Sequence, residues 1–323
     1  MLTLPDFKQK QIVFAFLSYG EKLKFSNDNI VILDENDNIK HQSTCYRLFA
    51  LFVVGHITIT SGLLQKSEKF GFSIVLLTHN LRIYAILGSK TEGNTLLRTK
   101  QYKYNSLDIA FLLVDNKIEN QRLVLENIRN KNQIMEKSIS KLIFYKNKIS
   151  KDLQLKDLLG LEGVASRVYF NALFKDFNWK RRMPRAKQDI TNCLLDIGYT
   201  ILFNITEAML NLYGFDVYQG VYHRQFYQRK SLACDLMEPF RPIIDARIYK
   251  AYKLGQIDNN DFEFIQNKYY IFGKKAQPYL QLILEVLLKN KESIFLYFQN
   301  YYRSFIGEKE MSNYPYFRIK EVI

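Results

Sequence analysis

Ser231-Leu232-Ala233-Cys234-Asp235-Leu236-Met237-Glu238-Pro239-Phe240-Arg241-Pro242 sets two acids three residues apart, just before a proline-marked helix start. At i, i+3, Asp235 and Glu238 would share one face of a helix. The same Asp-x-x-Glu spacing fits a capping box, in which the first side chain caps and the second reaches back. Pro239 suits a first turn, and Pro242 marks a late start or a kink. His223 lies twelve residues before Asp235. Two carboxylates and an imidazole in one segment are the donors of a divalent-cation site or an acid/base centre. Spacing alone leaves Asp235 open between site acid and helix cap. Asp245 falls seven residues beyond Glu238 on roughly the same face, where it could pair with Arg241 or Arg247.

The rest of the chain is basic. Forty-six Lys+Arg against 32 Asp+Glu give a net charge of +14 and a pI of about 9.4. Such a field attracts polyanions, nucleic acid foremost. A coding bias toward Lys, Asn, Ile, Phe and Tyr would raise the pI without function, and 22 Tyr and 24 Phe fit that bias. The basic residues are also clustered among aromatics. Lys180, Arg181, Arg182, Arg185 and Lys187 follow Phe177 and Trp179, while Arg224, Arg229 and Lys230 surround Phe226 and Tyr227. Arginine interleaved with aromatic rings suits phosphate contact plus base stacking. A solvated surface is the alternative; the second cluster brackets His223, which favours function.

At 323 residues the chain suits two domains. A hydrophobic share of 47% is enough for real cores, and the mean hydropathy is −0.20. No apolar run approaches the roughly 18 residues of a membrane span; the best covers residues 49–54. The start, Met1-Leu2-Thr3-Leu4-Pro5-Asp6-Phe7-Lys8, lacks the features of a signal peptide. Cys45, Cys193 and Cys234 are too few and too scattered for a disulfide framework or a cysteine zinc site. The expectation is a cytoplasmic protein with no membrane partner. Gly88-Ser89-Lys90-Thr91 lacks the upstream glycine of a P-loop, and neither G-x-S-x-G nor H-E-x-x-H occurs.

The first hundred residues read mostly as strands. Residues 29–33 are β-rich and close on Asp34-Glu35-Asn36-Asp37-Asn38. Ile57-Thr58-Ile59-Thr60 is a further β-branched run. Residues 73–77 and 82–87 flank Thr78-His79-Asn80 as a hairpin. Residues 1–23 are open between a helix and an extension. Beyond about Asn105 the period changes. Leu161, Val164, Ala165, Val168, Tyr169, Ala172 and Leu173 form one helical stripe; Leu194, Gly198, Ile201, Ile205, Ala208 and Leu212 form another. Residues 279–298 are a third helical candidate. The fold class is therefore α+β: a small N-terminal β-sheet domain over residues 1–105, then a larger all-α C-terminal domain over residues 106–323.

Glu162 sits in Leu159-Gly160-Leu161-Glu162-Gly163, where the glycines mark a break and the first stripe begins. An acid at a helix start usually serves the dipole, at about 0.3–1 kcal/mol. His41, His56 and His79 suit structural hydrogen bonding, with His79 at the hairpin tip. His223 is set apart only by the acids that follow it.

Further pieces complete a pattern. In order they are Gly93-Asn94 with Arg98 and Gln101; Gly160-Leu161-Glu162-Gly163 with Ala165, Arg167, Tyr169 and Phe170; Arg185 with Asp189 and Asn192; Gly198-Tyr199; Gly214-Phe215-Asp216; Gly220-Val221-Tyr222-His223; and residues 231–242 with Asp245. Together they resemble the CRISPR-associated integrase family of the spacer-acquisition machinery. The resemblance implies a helical catalytic domain and a β domain that helps join a homodimer. It implies a metal site on Glu162, His223 and Glu238, with Asp235 a second acid nearby. Oxygen ligands suit Mg²⁺ or Mn²⁺, and the imidazole nitrogen tilts the choice to Mn²⁺. The catalytic set is thus Glu162, His223, Glu238 and Asp235. Arg167, Lys180, Arg181, Arg182, Arg185, Arg224, Arg229, Lys230 and Arg241 are the candidate DNA contacts. The family joins two dimers through a small bridging adaptation protein, as a heterohexamer, and inserts a short double-stranded DNA fragment at a CRISPR repeat. Insertion is transesterification by a 3′-hydroxyl, which needs no ATP and agrees with the missing P-loop. The chain departs from the pattern in a longer, more basic segment at residues 181–192, in Gly214-Phe215-Asp216-Val217 where Gly-x-Asp-Pro is common, and in residues 1–25. A metal-dependent nuclease without integration, or a non-catalytic DNA-binding scaffold, are the competing readings.

Overall fold

The computed structural model describes residues 3–55, 57–78, 83–88, 93–223 and 226–320. His56, His79 and Arg224 lie outside these residues, as does the tip of the expected hairpin. A short helix α1 (Leu4–Lys8) leads into β1 (Gln11–Phe16). Strands β2 (Lys22–Ser26), β3 (Asn29–Leu33) and β4 (Ile39–Thr44) form an antiparallel sheet. The chain returns as β5 (Leu48–Val54), parallel to β1. Helix α2 (Ser61–Phe70) then crosses to β6 (Ser73–Leu77), parallel to β5, and β7 (Ile83–Gly88) pairs with β6 antiparallel, as the hairpin reading expects. Ile57-Thr58-Ile59-Thr60 is not a strand. Thr60 is the N-cap of α2, its hydroxyl accepting from Leu63 N, so the β-branched run is the approach to a helix.

Every residue of β5 is buried, because both its faces meet a core. Leu48, Leu51 and Val53 pack with Ile30, Ile32, Phe72 and Ile74 within the β region. Phe49, Phe52 and Val54 point the other way, into the core that continues through the helices.

The helical region contains α3 (Thr95–Lys103), α4 (Asp108–Glu126), α5 (Gln133–Asn147), α6 (Leu155–Phe174), α7 (Ile190–Tyr213), α8 (Ser231–Leu236) and α9 (Arg241–Lys253). A 3₁₀ turn (Glu238–Phe240) joins α8 to α9, and a small hairpin, β8 (Glu263–Ile265) and β9 (Lys268–Tyr270), follows. Helices α10 (Gly273–Lys289) and α11 (Lys291–Ile306) come next, followed by a 3₁₀ turn (Met311–Asn313) and an extended segment. The apolar run 279–298 is thus two helices, parted at Asn290. Strands first and helices after give the α+β class, as the periodicity indicates.

Helix α7 corrects the sequence expectation about apolar runs. Its 24 residues are long and apolar enough to span a membrane, but 83% of the apolar window is buried inside the protein. Asp196 and Glu207 interrupt the run in sequence, and the helix is the hub against which α8 to α11 pack. Gly198 lets α9 come close: a Cβ there would stand 2.4 Å from Ile244 Cγ2.

The α1 region and residues 316–319 are both tied to the helices. Phe7 stacks on Phe295 with ring centroids 4.2 Å apart, and Lys291 Nζ donates to Lys8 O and Lys10 O. Residues 316–319 lie along α4, where Asn116 and Asn120 side chains exchange hydrogen bonds with the backbone of Phe317 and Ile319. Tyr316 adds a hydrogen bond to Asp115. All three cysteines are free.

Gly198→Ala forces α7 and α9 apart and should lower stability by about 1–3 kcal/mol, read as an earlier midpoint in thermal unfolding followed by circular dichroism.

Candidate active site

Three elements remote in sequence bring the acids together. Glu162 comes from the middle of α6, seven residues past its first residue, Leu155. Gln154 and Asp157 already supply the capping box of that helix, so the helix-start reading of Glu162 does not hold. Gly160 and Gly163 lie inside the helix with open space beside them. Glu238 heads the 3₁₀ turn before α9 and is buried. Between the two stands Lys117 of α4. Its ammonium pairs with Glu162 Oε1 and lies 2.6 Å from Glu238 Oε2. That second contact is an ion pair without hydrogen-bond alignment, so buried Oε2 accepts no hydrogen bond.

A supporting layer fixes both acids. Ser166 Oγ, one turn along α6, donates to Glu162 Oε1 at 2.8 Å, and Gln121 Nε2 donates to Ser166 Oγ at 3.2 Å. Arg241 Nη2 lies 3.0 Å from Glu238 Oε1, with the guanidinium 4.6 Å from the Tyr199 ring centre. Asn120 Nδ2 donates to Pro239 O and so ties the 3₁₀ turn to α4. Burial pushes the Glu238 carboxyl up, but Arg241 and Lys117 outweigh it and hold it down at about 2. Burial likewise works against the Lys117 ammonium, and Glu162 and Glu238 outweigh it and raise its pKa.

Asp235 does something the sequence does not suggest. It lies inside α8, fully buried, and caps no helix: the N-cap position of α8 is Lys230, without a side-chain bond. Its carboxylate gathers the turn at residues 220–223. Oδ2 accepts from Val221 N (2.7 Å) and Tyr222 N (2.9 Å), and Oδ1 accepts from His223 N (3.0 Å). His223 Nδ1 is 2.5 Å from the same Oδ1. A carboxylate only accepts, so Nδ1 carries a proton, and in the neutral ring the lone pair is on Nε2. Gly220 makes this fold possible, since a Cβ there would stand 2.7 Å from Ser231 Cβ and 2.8 Å from Asp235 Oδ2. His223 lies close enough to Glu238 to act on it electrostatically.

Among the described residues, no three His, Cys, Asp or Glu side chains stand at metal-cage spacing. Two carboxylates do converge on one positive charge, and one buried carboxylate oxygen accepts no hydrogen bond. That donor set fits a small hard cation, with the His223 imidazole beside it.

Asp245 pairs with neither Arg241 nor Arg247. Tyr199 OH donates to its Oδ1 at 2.5 Å, while Arg241 goes to Glu238 and Arg247 faces Glu285. Burial pushes Asp245 up to about 7, against the lowering effect of the hydrogen bond from Tyr199.

The basic candidates divide. Arg167, Lys180, Arg181, Arg185 and Arg229 are exposed. Arg182 and Arg241 are not open phosphate contacts. Arg182 is taken by Asn192 (2.8 Å) and Asp196 (2.5 Å), and Arg241 by Glu238. Lys230 is half-buried on Glu207 at 2.6 Å. Trp179 is buried and Phe177 stacks on Tyr252, so these rings belong to the core, whereas Phe226 and Tyr227 are exposed.

The residues that sequence reasoning missed are on α4: Asn116, Lys117, Asn120 and Gln121. The available signal was a run of polar residues, Asp115-Asn116-Lys117 and Glu119-Asn120-Gln121, inside a helix flanked by Leu113, Val114 and Val124.

Fold and site define an α+β protein whose helical part holds a convergent carboxylate pair, one of the two buried, beside an oriented imidazole. A family model described as CRISPR associated protein Cas1 matches residues 15–284. The chain belongs to this family. A CRISPR-associated endonuclease Cas1 of Thermodesulfovibrio yellowstonii is 33% identical over 237 residues, covering 69% of this chain and 74% of the relative. A chain of a Cas6-RT-Cas1–Cas2 complex superposes with a TM-score of 0.79 at 20% identity, over 97% of this chain and 36% of that one. A casposase bound to integration product gives 0.75 at 19% identity, over 96% of each chain. Both structures share the fold.

Two predictions follow from the site. Asp235→Asn places an amide against backbone donors and should lower stability by about 1–3 kcal/mol in urea unfolding; ring ¹⁵N shifts of His223 should show the fixed tautomer lost. A raised acid pKa favours the protonated fold. The contribution of Asp245 is therefore fully present below its unfolded value of 3.8 and is lost as pH rises through about 7. Asp245→Asn should flatten the melting temperature between those limits.

Proposed function

We propose that this chain is a metal-dependent DNA integrase and endonuclease that inserts short double-stranded DNA fragments at a CRISPR repeat by transesterification. One observation carries the reading: carboxylates from two separate elements converge on a single cation, next to an imidazole with its Nδ1 fixed by Asp235.

Glu162, Glu238 and Nε2 of His223 would hold Mg²⁺ or Mn²⁺. When bound, such an ion polarises a phosphoryl oxygen and stabilises the leaving 3′-oxygen. The chain's own residues do the rest. Ser166 and Gln121 orient Glu162, and Arg241 and Asn120 fix Glu238 and its turn. Asp235 acts through His223, orienting the ring and setting its tautomer. Arg167, Lys180, Arg181, Arg185 and Arg229, all exposed, supply phosphate contacts, and exposed Phe226 and Tyr227 offer faces to bases. One ester bond replaces another of similar energy, so the reaction needs no nucleotide hydrolysis.

The partners in this reading are the incoming fragment, the repeat DNA, a second copy of the chain and a small bridging protein. Residues 1–105 serve dimerisation and residues 106–323 catalysis, in the cytoplasm. Support comes from the family membership and from two structures of the same fold, a casposase bound to integration product and a chain of a Cas6-RT-Cas1–Cas2 complex.

The test supplies a fragment with a free 3′-hydroxyl and a repeat-bearing plasmid with MnCl₂. The wild type should join them covalently and stop in EDTA. Glu162→Gln, Glu238→Gln and His223→Ala should each cut joining by about 100-fold or more, while DNA affinity in gel shifts stays within a few-fold. Cleavage without joining would favour a plain nuclease. Full activity in EDTA, or in all three variants, would contradict the proposal.

A further inference from the structure

The Lys117 ammonium stands where the two site carboxylates meet. It reaches both of them from α4 on a buried side chain, and both of its partners are those acids. Setting a half-buried carboxylate, Glu162, beside a buried one, Glu238, is costly unless positive charge faces them. Here two cations do so, Lys117 and Arg241. They differ in freedom. Arg241 is a planar group set between Glu238 and the Tyr199 ring. Lys117 is a point charge on a flexible four-carbon stem.

A divalent ion held by Glu162 and Glu238 would need the same oxygens at about 2.0–2.2 Å. The ammonium already occupies the point from which both can be reached. Two cations sharing one position repel strongly. The exchange is favourable for the acids, because the ion brings two positive charges where the ammonium brings one.

We propose that Lys117 is the built-in counter-ion of the site: it holds Glu162 and Glu238 together in the metal-free protein and yields its place to the divalent ion. Its charge therefore sets metal affinity, and it acts as a positioning residue rather than a catalytic one. The inference rests on the reading of Glu162 and Glu238 as the carriers of the ion.

The test is titration of the full-length protein with MnCl₂, following the paramagnetic resonance signal of free Mn²⁺, together with thermal unfolding in the absence of metal. Glu238→Gln should weaken Mn²⁺ binding by about tenfold or more. Lys117→Met and Lys117→Gln should instead tighten it by about tenfold or more. Without metal, both Lys117 variants should melt roughly 5–10 °C lower, and saturating MnCl₂ should restore most of the loss. If Glu238→Gln weakens binding while the Lys117 variants bind as the wild type or worse, the counter-ion role is overturned and the metal reading stands. If Glu238→Gln leaves binding unchanged, the metal reading falls and this proposal falls with it. Should the Lys117 variants fail to fold without metal, refolding in MnCl₂ decides: recovery supports the exchange, and failure overturns it.

Discussion

A buried carboxylate, Glu238, and a half-buried one, Glu162, set side by side repel each other and lose water, and α4, α6 and the turn before α9 are arranged around meeting that cost. Glu162 and Glu238 come from α6 and from the turn before α9; Lys117 faces both of them, and Arg241 adds a second positive charge on buried Glu238. Lys117 in turn requires α4 in a fixed place. That is why α4 is buried along much of its length and carries asparagines that hold both the 3₁₀ turn and the C-terminal segment. The C-terminal residues thus act on the site through α4, although they touch neither acid in the hydrogen-bond pattern described.

The acid pair Asp235 and Glu238 divides its work by geometry. Three backbone N–H groups and the His223 ring consume the Asp235 carboxylate, leaving it a structural acceptor. Glu238 has cations for partners instead, which leaves it suited to exchange one cation for another. The spacing that made the two look equivalent places them on different elements, because the chain changes from α8 to a 3₁₀ turn between them.

How much of this was legible in the sequence depends on the range of the interactions. Burial of one face leaves a local period, so the strands around residues 29–33 and 73–77 and the stripes of α6 and α7 could be read directly. Local signals also misled. Glycines 160 and 163 read as a break, yet packing of α6 carries them within the helix, and Ile57-Thr58-Ile59-Thr60 reads as β while Thr60 caps α2. Partners far apart in sequence leave no period at all. Lys117 lies 45 residues from Glu162, and Asn116 lies 201 residues from Phe317. The candidate site was legible through the family pattern at residues 220–242, whereas its α4 component and the internal commitments of Arg182 and Arg241 required coordinates.

The central claim is that the convergent acids, and not the surface basic clusters, are the chemical centre. Anomalous diffraction from crystals soaked in MnCl₂ tests it most directly. The account predicts one strong peak touching Glu162, Glu238 and His223, with the Lys117 ammonium moved off the acids. A peak elsewhere, or Lys117 still bridging both carboxylates at saturating Mn²⁺, would contradict it.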